Sequence, residues 1–325
     1  MPIPPDGLSF RIDTQHAGER LDRVLTALLP QYSRSHLAQL IRKGDLVVNH
    51  QVRKPSHRLA EGDLISGRVP VSEPVRFRAE PMALAILHED AHIIVLNKPA
   101  GLVVHPAPGH ASGTLVNGLL AHCPELEQQA DAFRPGIVHR LDKDTSGVMV
   151  VAKKRRAHER LARQFKARTV RKHYLAIVRG CPQTKRGEID LPIGRHPVDR
   201  KKMAIVQGRG RPALTQWTVR QPYEGAALLD LKLKTGRTHQ ARVHCAAIRH
   251  PILGDPVYGS RTQGDGVLRG EVAQALRDAG RQMLHAWQLT FCHPDNDRKA
   301  TFEASIPDDM QRVLALLPRP KLTVA

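Results

Sequence analysis

Apolar residues first recur at helical spacing as Leu21, Val24, Leu25 and Leu28, after Gly18 and ahead of Pro30, which predicts a short amphipathic helix stopped by the proline. A second stripe, Leu37, Leu40 and Ile41, predicts another helix, with Ser33 placed to cap its start and Gly44 to end it. Arg34, His36, Arg42 and Lys43 are left for its outer face, so the face that does not pack is basic. The spacing then turns from helical to alternating. Leu46 to Val52 reads as a short strand entering a tight turn, and Glu61-Gly62-Asp63-Leu64-Ile65 as a turn into another strand. These signals define an N-terminal α/β module over residues 1–66, with a core from about residue 18.

Residues 67–81 hold three prolines and no sustained period, the pattern of an extended linker. From there to residue 325, β-branched runs such as Ile93 to Leu96 and Val148 to Val151, and the alternating Leu229 to Leu233, are separated by turn signals and a few helices. That pattern predicts an α+β domain on a large mixed or antiparallel sheet with flanking helices and loops, in place of regular βαβ repeats.

Charge changes the picture from fold to partner. Lys plus Arg number 50 against 31 Asp plus Glu, a net charge of +19. Solubility needs far less, so the excess points to a polyanion, RNA or DNA before an anionic membrane. No apolar run approaches the roughly 20 residues that span a bilayer, so no membrane partner is expected. The start MPIPPDGLSF lacks the basic and apolar regions of a secretory leader, and a cytoplasmic location is the expectation. Cys123, Cys181, Cys245 and Cys292 form no CxxC pair, so neither a disulfide framework nor a thiolate zinc site is supported.

The positive charge is concentrated. Between Lys153 and Lys172 lie ten Lys and Arg residues opposed only by Glu159, with Leu161 and Phe165 as the one apolar stripe. This predicts a helix whose wet face, including Arg155, Arg163 and Lys166, meets phosphate, although a merely solvated helix has the same pattern. Arg195, Arg200, Lys201, Lys202, Arg209 and Arg211 sit among Gly, Pro and Met203 and read as a mobile basic loop able to fold around RNA.

Several chemistries are absent. There is no GxxxxGK[ST] loop for a nucleotide phosphate and no HxE with PCxxC for a zinc deaminase, and the 18 histidines form no convincing ligand trio. Neither metal nor cofactor is expected. What remains is the charged turn His139-Arg140-Leu141-Asp142-Lys143-Asp144 running into the apolar strand from Val148. An Asp between two cations is by itself more often a surface ion pair, and a lone Tyr174 in a strand is more often ordinary half-buried structure. If Asp142 is desolvated it needs a cation, and Arg237, on a glycine turn after the strand ending at Leu233, is a suitable partner.

The motifs taken together go further. The run from Arg20-Leu21-Asp22 through SRSHLAQLIRKGDLVVNHQVRKPSHRLAEGDLI resembles a small RNA-binding module first described in a ribosomal small-subunit protein. VLNKPAGLVVHPAPGHASGTLVNGLL, HRLDKDTSGVMVVAKK, KHYLAIV, LKTGRTHQARVH and HPILGDPVYG, in that order, resemble the RluA-type pseudouridine synthases across residues 86 to 295, closest to the RluD branch. Ala241 stands where a branched aliphatic is usual, and Val148 where Leu is common. The resemblance implies that Asp142 is the catalytic aspartate, Arg237 its ion-pair partner, Tyr174 the ring beside the target base, and Arg140 the side chain that enters the gap left in the RNA stack. It implies a cofactor-free isomerase acting on uridines of large-subunit ribosomal RNA, free or in ribosomal precursor particles, with a monomer expected. A non-catalytic RNA-binding or assembly protein, a metal-dependent nuclease, or a synthase of other rRNA or tRNA sites are the alternatives.

Overall fold

The computed structural model describes residues 7–320 apart from 31, 33, 70–77, 107–111, 129–134, 200–201 and 260–269. The chain divides into two compact units, Met1–Val75 and Arg76–Ala325. The expected cap Ser33, most of the expected linker and the basic residues Arg200 and Lys201 lie outside the described residues.

In the first unit, β1 (Leu8–Arg11), α1 (Leu21–Leu28), α2 (Arg34–Lys43), β2 (Leu46–Val48) and β3 (Leu64–Gly67) follow in order. The sheet order is β1-β3-β2, all antiparallel. Leu21, Val24 and Leu25 of α1 and Leu37 and Ile41 of α2 are buried against Leu46 and Ile65, so the helical stripes form the core. Gly44 ends α2 at φ +84, and Asn49 and His50, at φ 50 and 62, make the tight turn after β2. β1 was not expected from the pattern. Its pairing with β3 and the burial of Leu8 and Ile12 carry the module ahead of residue 18.

The second unit is built on a nine-stranded mixed sheet. Its strands are β4 (Ile86–Glu89), β5 (Ile93–Lys98), β6 (Ser146–Ala152), β7 (Arg171–Arg179), β8 (Arg186–Asp190), β11 (Leu214–Tyr223), β12 (Ala226–Leu233), β13 (Leu284–Cys292) and β14 (Lys299–Glu303). Their order is β4-β5-β6-β13-β7-β12-β11-β8, with β14 also on β13, and only β6 and β13 are parallel. Alternation decides what covers each face. Ile94, Leu96, Met149 and Val151 pack with α3 (Leu115–His122), whereas Ile93, Val95, Val148 and Val150 pack with α4 (Arg155–Ala167). Both faces of β6 are therefore buried, which is why Val148 to Val151 reads as a continuous apolar run. Between β8 and β11, β9 (Ile193–Arg195) and β10 (Met203–Ile205) form a separate antiparallel pair. The remaining helices are α5 (Gln240–Ala247), α6 (Gly270–Ala279) and α7 (Asp308–Leu316). Among the described residues no helix is long and apolar enough to cross a membrane.

Three expectations change. The basic segment read as a mobile loop is flanked by ordered strands: Arg195 ends β9 and Lys202 directly precedes β10, with Ile193 buried with Ala213 and Val243 and with Met203 and Ile205 packed on them. The basic helix ends at Ala167, with Arg168 in the left-handed region at φ 60, so Arg171 and Lys172 begin β7. Glu80, counted in the linker, belongs to the second unit: its backbone N–H donates to the Asn117 carbonyl, and its carboxylate accepts the Gly113 N–H at 2.8 Å.

Candidate active site

Asp142 lies in the turn that feeds β6, and that turn is clamped. The ammonium of Lys98, wholly buried at the end of β5, donates to the carbonyls of Pro99, Leu102 and Lys143 at 2.6, 2.9 and 2.9 Å. Three acceptors match its three N–H bonds, which makes its burial tolerable. Burial still draws its pKa down to about 8, against the opposing charges of Asp144 and Asp142. On the other side Arg281 donates to the Asp144 carbonyl at 3.3 Å and Gln282 to the Thr145 hydroxyl at 3.1 Å. Gly147 sits at φ +122 where an added Cβ would strike the backbone of Ala286 on β13, so the parallel pairing requires glycine there.

Side chains of the His139 to Asp142 run divide their work. His139 stacks on Phe165 with ring centroids 4.6 Å apart, and its Nε2 accepts the Val150 N–H at 3.1 Å. Burial pushes its pKa down to about 3, so it is a neutral structural residue. Leu141 is buried, while Arg140 is exposed at the lip of a pocket that Asp142 lines. Tyr174, buried at 9% exposure on β7, forms another wall, as do Arg237, His239 and Arg242. Burial first, and the nearby charge of Asp142 second, raise the Tyr174 pKa, so the phenol keeps its proton.

Arg237 is not the partner of Asp142. Its Nε donates to the Pro212 carbonyl at 3.1 Å, and the guanidinium on Asp142 is that of Arg242, whose Nη1 lies 3.5 Å from Oδ2. The reason is local. Gln240 accepts from the Thr235 hydroxyl and the Arg237 N–H at 2.7 and 3.0 Å, closing the turn so that α5 starts at once and its first turn aims Arg242 inward. His239 caps that helix in the left-handed region at φ 56, an uncommon conformation for a residue with a side chain.

Arg242 is itself anchored. Its Nε and Nη2 donate to the two oxygens of Asp255 at 2.7 and 2.8 Å, and Asp255 also accepts the N–H groups of Val257 and Tyr258. Burial alone would raise the Asp255 pKa, but Arg242 and these N–H groups hold it below the ordinary value. Burial likewise opposes the charge on Arg242, and Asp255 overcomes it, leaving the guanidinium more basic than usual. His239 stands 3.9 Å from Asp142 through Nε2 and 2.8 Å from the Tyr258 hydroxyl through Nδ1. That hydroxyl accepts the Met203 N–H at 2.8 Å and so has its own proton free for Nδ1, an arrangement that leaves the His239 proton on Nε2 facing Asp142. Burial lowers the His239 pKa, which keeps the ring neutral at physiological pH.

Arg242, His239, Asp255 and Tyr258 were all missed by sequence reasoning, although LKTGRTHQARVH and HPILGDPVYG contain them. The expected RNA contacts fare unevenly. Arg34 donates to Asp22 at 2.8 and 3.1 Å, so its charge is already paired. His36 stacks on Tyr32 at 5.6 Å, and Arg42 and Lys43 are exposed at the end of α2. On α4, Arg155 pairs with Glu159 at 3.1 Å, and Arg160 turns to Asp297 and the Pro294 carbonyl. Arg163 and Lys166 are exposed with no acidic partner among the described residues. Lys202 lies 3.7 Å from Asp199. Among the described residues no three His, Cys, Asp or Glu side chains converge on a metal-sized site.

Known proteins share both units. A family model described as RNA pseudouridylate synthase matches residues 92–247, and an S4 domain model matches residues 19–65. The chain is 46% identical over 312 residues to the ribosomal large subunit pseudouridine synthase D of Neisseria meningitidis serogroup A, covering 95% of this chain and 82% of that protein. It is 44% identical over 300 residues to the protein of the same name from Pseudomonas aeruginosa, covering 92% of each. Among solved structures, human RNA pseudouridylate synthase domain containing 4 superposes with a TM-score of 0.57 at 29% identity, over 73% of this chain and 95% of that one.

Proposed function

The chain belongs to the RNA pseudouridylate synthase family, and from that membership we propose that it isomerises uridines of large-subunit ribosomal RNA with Asp142 as the reacting carboxylate. The reaction breaks the glycosidic C1′–N1 bond, turns the detached base, joins C1′ to C5 and moves the C5 proton off the ring. Nothing is imported, so positioned side chains suffice. The uridine must leave its stack to reach them, at a cost of a few kcal/mol.

The observation that carries this reading is the setting of Asp142, a carboxylate with a guanidinium at 3.5 Å and an imidazole at 3.9 Å, in a pocket also walled by Tyr174. A carboxylate works on the sugar only when ionised, as nucleophile at C1′ or as the charge that stabilises a cationic sugar. Arg242 sets a guanidinium 3.5 Å from that carboxylate. Tyr174 offers its ring to the base and a protonated hydroxyl for proton transfer. Arg140, exposed at the lip, can fill the gap in the stack with its guanidinium plane. The first unit, with Arg42 and Lys43 exposed, docks RNA. Activity in the cytoplasm, on free rRNA or on precursor particles, as a monomer, completes the proposal.

Asp142→Asn tests the chemistry: pseudouridine formation is lost while RNA affinity and thermal stability stay close to those of the parent, and a fully active variant would overturn the assignment. Mapping pseudouridines in cells with and without the protein tests the substrate. Unchanged large-subunit rRNA alongside a missing tRNA site would redirect it.

A further inference from the structure

Lys172 precedes Tyr174 by two residues on β7, so the two side chains leave the same face of the strand with Cα atoms about 6 to 7 Å apart. Lys172 extends under the turn that borders the pocket. Its Nζ donates to the Thr235 carbonyl at 3.2 Å, and Gly236, which has no side chain to cover it, would place a Cβ 3.7 Å from that nitrogen. Arg237 follows in the same turn and binds the Pro212 carbonyl, next to Arg211. Arg168 stands exposed at the end of α4, three residues ahead of β7.

These cations feel one another. Burial, then the charges of Arg168 and Arg237, bring the Lys172 pKa down to about 8, and burial followed by Arg168 and Arg211 lowers that of Arg237. Among the described residues no carboxylate pairs with any of the four. Elsewhere in this unit the buried guanidiniums of Arg242 and Arg281 are paired with carboxylates, those of Asp255 and Asp309. An uncompensated group of like charges beside a pocket is unfavourable in the free protein and becomes favourable when an anion arrives.

We propose that Arg168, Lys172, Arg211 and Arg237 form a phosphate subsite that grips the RNA backbone beside the uridine held at Asp142 and Tyr174. This rests on the reading of RNA as substrate. It also gives Arg237 a role other than pairing with Asp142: one strand step from the base wall, the subsite meets the phosphodiester of the flipped nucleotide or its neighbour and fixes how deeply the uridine enters.

The test is the salt dependence of kcat/KM for pseudouridine formation on a large-subunit rRNA transcript, with Arg168→Gln, Arg237→Gln and Lys172→Met in the full chain. Each neutralised contact is expected to lower kcat/KM by roughly 3- to 10-fold near 0.1 M salt, mainly through KM, and to flatten the slope of log(kcat/KM) against log[salt] by roughly 0.7. Lys172→Arg should restore the slope, which a purely structural role for the lysine would not predict. Slopes identical to the parent in the exposed Arg168→Gln and in Arg237→Gln overturn the proposal, whether or not Lys172→Met folds. The same slopes measured for binding of labelled oligouridylate decide the subsite independently of turnover, so a parent protein inactive on the transcript would defeat only the substrate reading. Sodium sulfate inhibiting the parent more than chloride at equal ionic strength, with the difference lost in the variants, would support a site built for the phosphate group itself.

Discussion

One guanidinium serves two carboxylates unequally: Arg242 grips Asp255 through two nitrogens at 2.7 and 2.8 Å and reaches Asp142 through one at 3.5 Å. The guanidinium beside Asp142 is thus fixed in place by Asp255. Asp142 receives one long contact from that guanidinium, which leaves its oxygens open to the pocket.

Removing that guanidinium has two separable effects. Arg242→Met strands Asp255 as a buried charge and is expected to cost about 3 to 5 kcal/mol of stability. Its kcat should fall by about 10²- to 10³-fold, the scale of losing one preorganised electrostatic contact. Arg242→Met with Asp255→Asn removes both buried charges, so urea denaturation should show most of the stability restored while activity stays low. Recovery of activity in the double variant would show that Arg242 matters only for folding.

Tyr174 lines the pocket together with Asp142, and burial holds the proton on its hydroxyl. Tyr174→Phe keeps the ring and the packing. It should fold like the parent, bind RNA with KM within about threefold, and lose about 10²-fold in kcat if the hydroxyl moves a proton in the reaction. Stopped-flow turnover on an rRNA transcript separates the two parameters, and an unchanged kcat would leave the ring as the whole contribution.

How much of this was legible follows from which signals are local. Leu21, Val24 and Leu25 carried their helix because periodicity is written in neighbouring residues, and the α+β class followed from runs such as Val148 to Val151. Asp142 and Tyr174 could be singled out by motif. Arg237 and Arg242 could not be told apart, since both are arginines in one stretch. The choice depends on His239 taking φ 56 and on Gln240 closing the turn, neither of which has a compositional sign. Asp255 is still harder to foresee: an Asp before Pro reads as a turn residue, and its role appears only when α5 brings Arg242 against it. The paired strands β9 and β10 were hidden because each is only three residues long and lies in a segment rich in Arg and Lys, while Ile193, Met203 and Ile205 do the packing.

Gly147 and Gly118 should respond unequally to the same change. At Gly147, φ +122 and the Ala286 backbone leave no room for a methyl group, so Gly147→Ala is expected to cost roughly 2 to 4 kcal/mol and to displace the turn bearing Asp142, lowering kcat as well. At Gly118, within α3, the obstacle is the flexible side chain of Met82. There the helical gain of alanine over glycine, about 1 kcal/mol, offsets the shift, and stability should change by less than about 1 kcal/mol. Thermal denaturation of both variants in parallel checks the contrast; a loss in Gly147→Ala as small as about 1 kcal/mol would mean that the β6–β13 junction can relax.

Asp22 sets an acid limit on the first unit. Nearly buried at 5% exposure, it accepts from Arg20 at 3.0 Å and from Arg34 at 2.8 Å, and hydrogen bonds from Arg20 lead the interactions that bring its pKa from the usual 3.8 to about 2, against burial. A carboxylate with a lowered folded pKa stabilises the fold above its unfolded value and loses that contribution as the pH falls towards the folded one. The window is therefore from about pH 4 down to about pH 2, and the contribution is roughly 1 to 2 kcal/mol. Asp22→Asn should lose that amount at neutral pH and show a flatter acid limb, because the neutral amide has no proton to gain. Hydrogen exchange of the α1 and α2 backbone, corrected for the intrinsic rate at each pH, reads the unit by itself in the full chain. Parent and variant curves that fall in parallel between pH 4 and pH 2 would place the acid sensitivity elsewhere than in this triad.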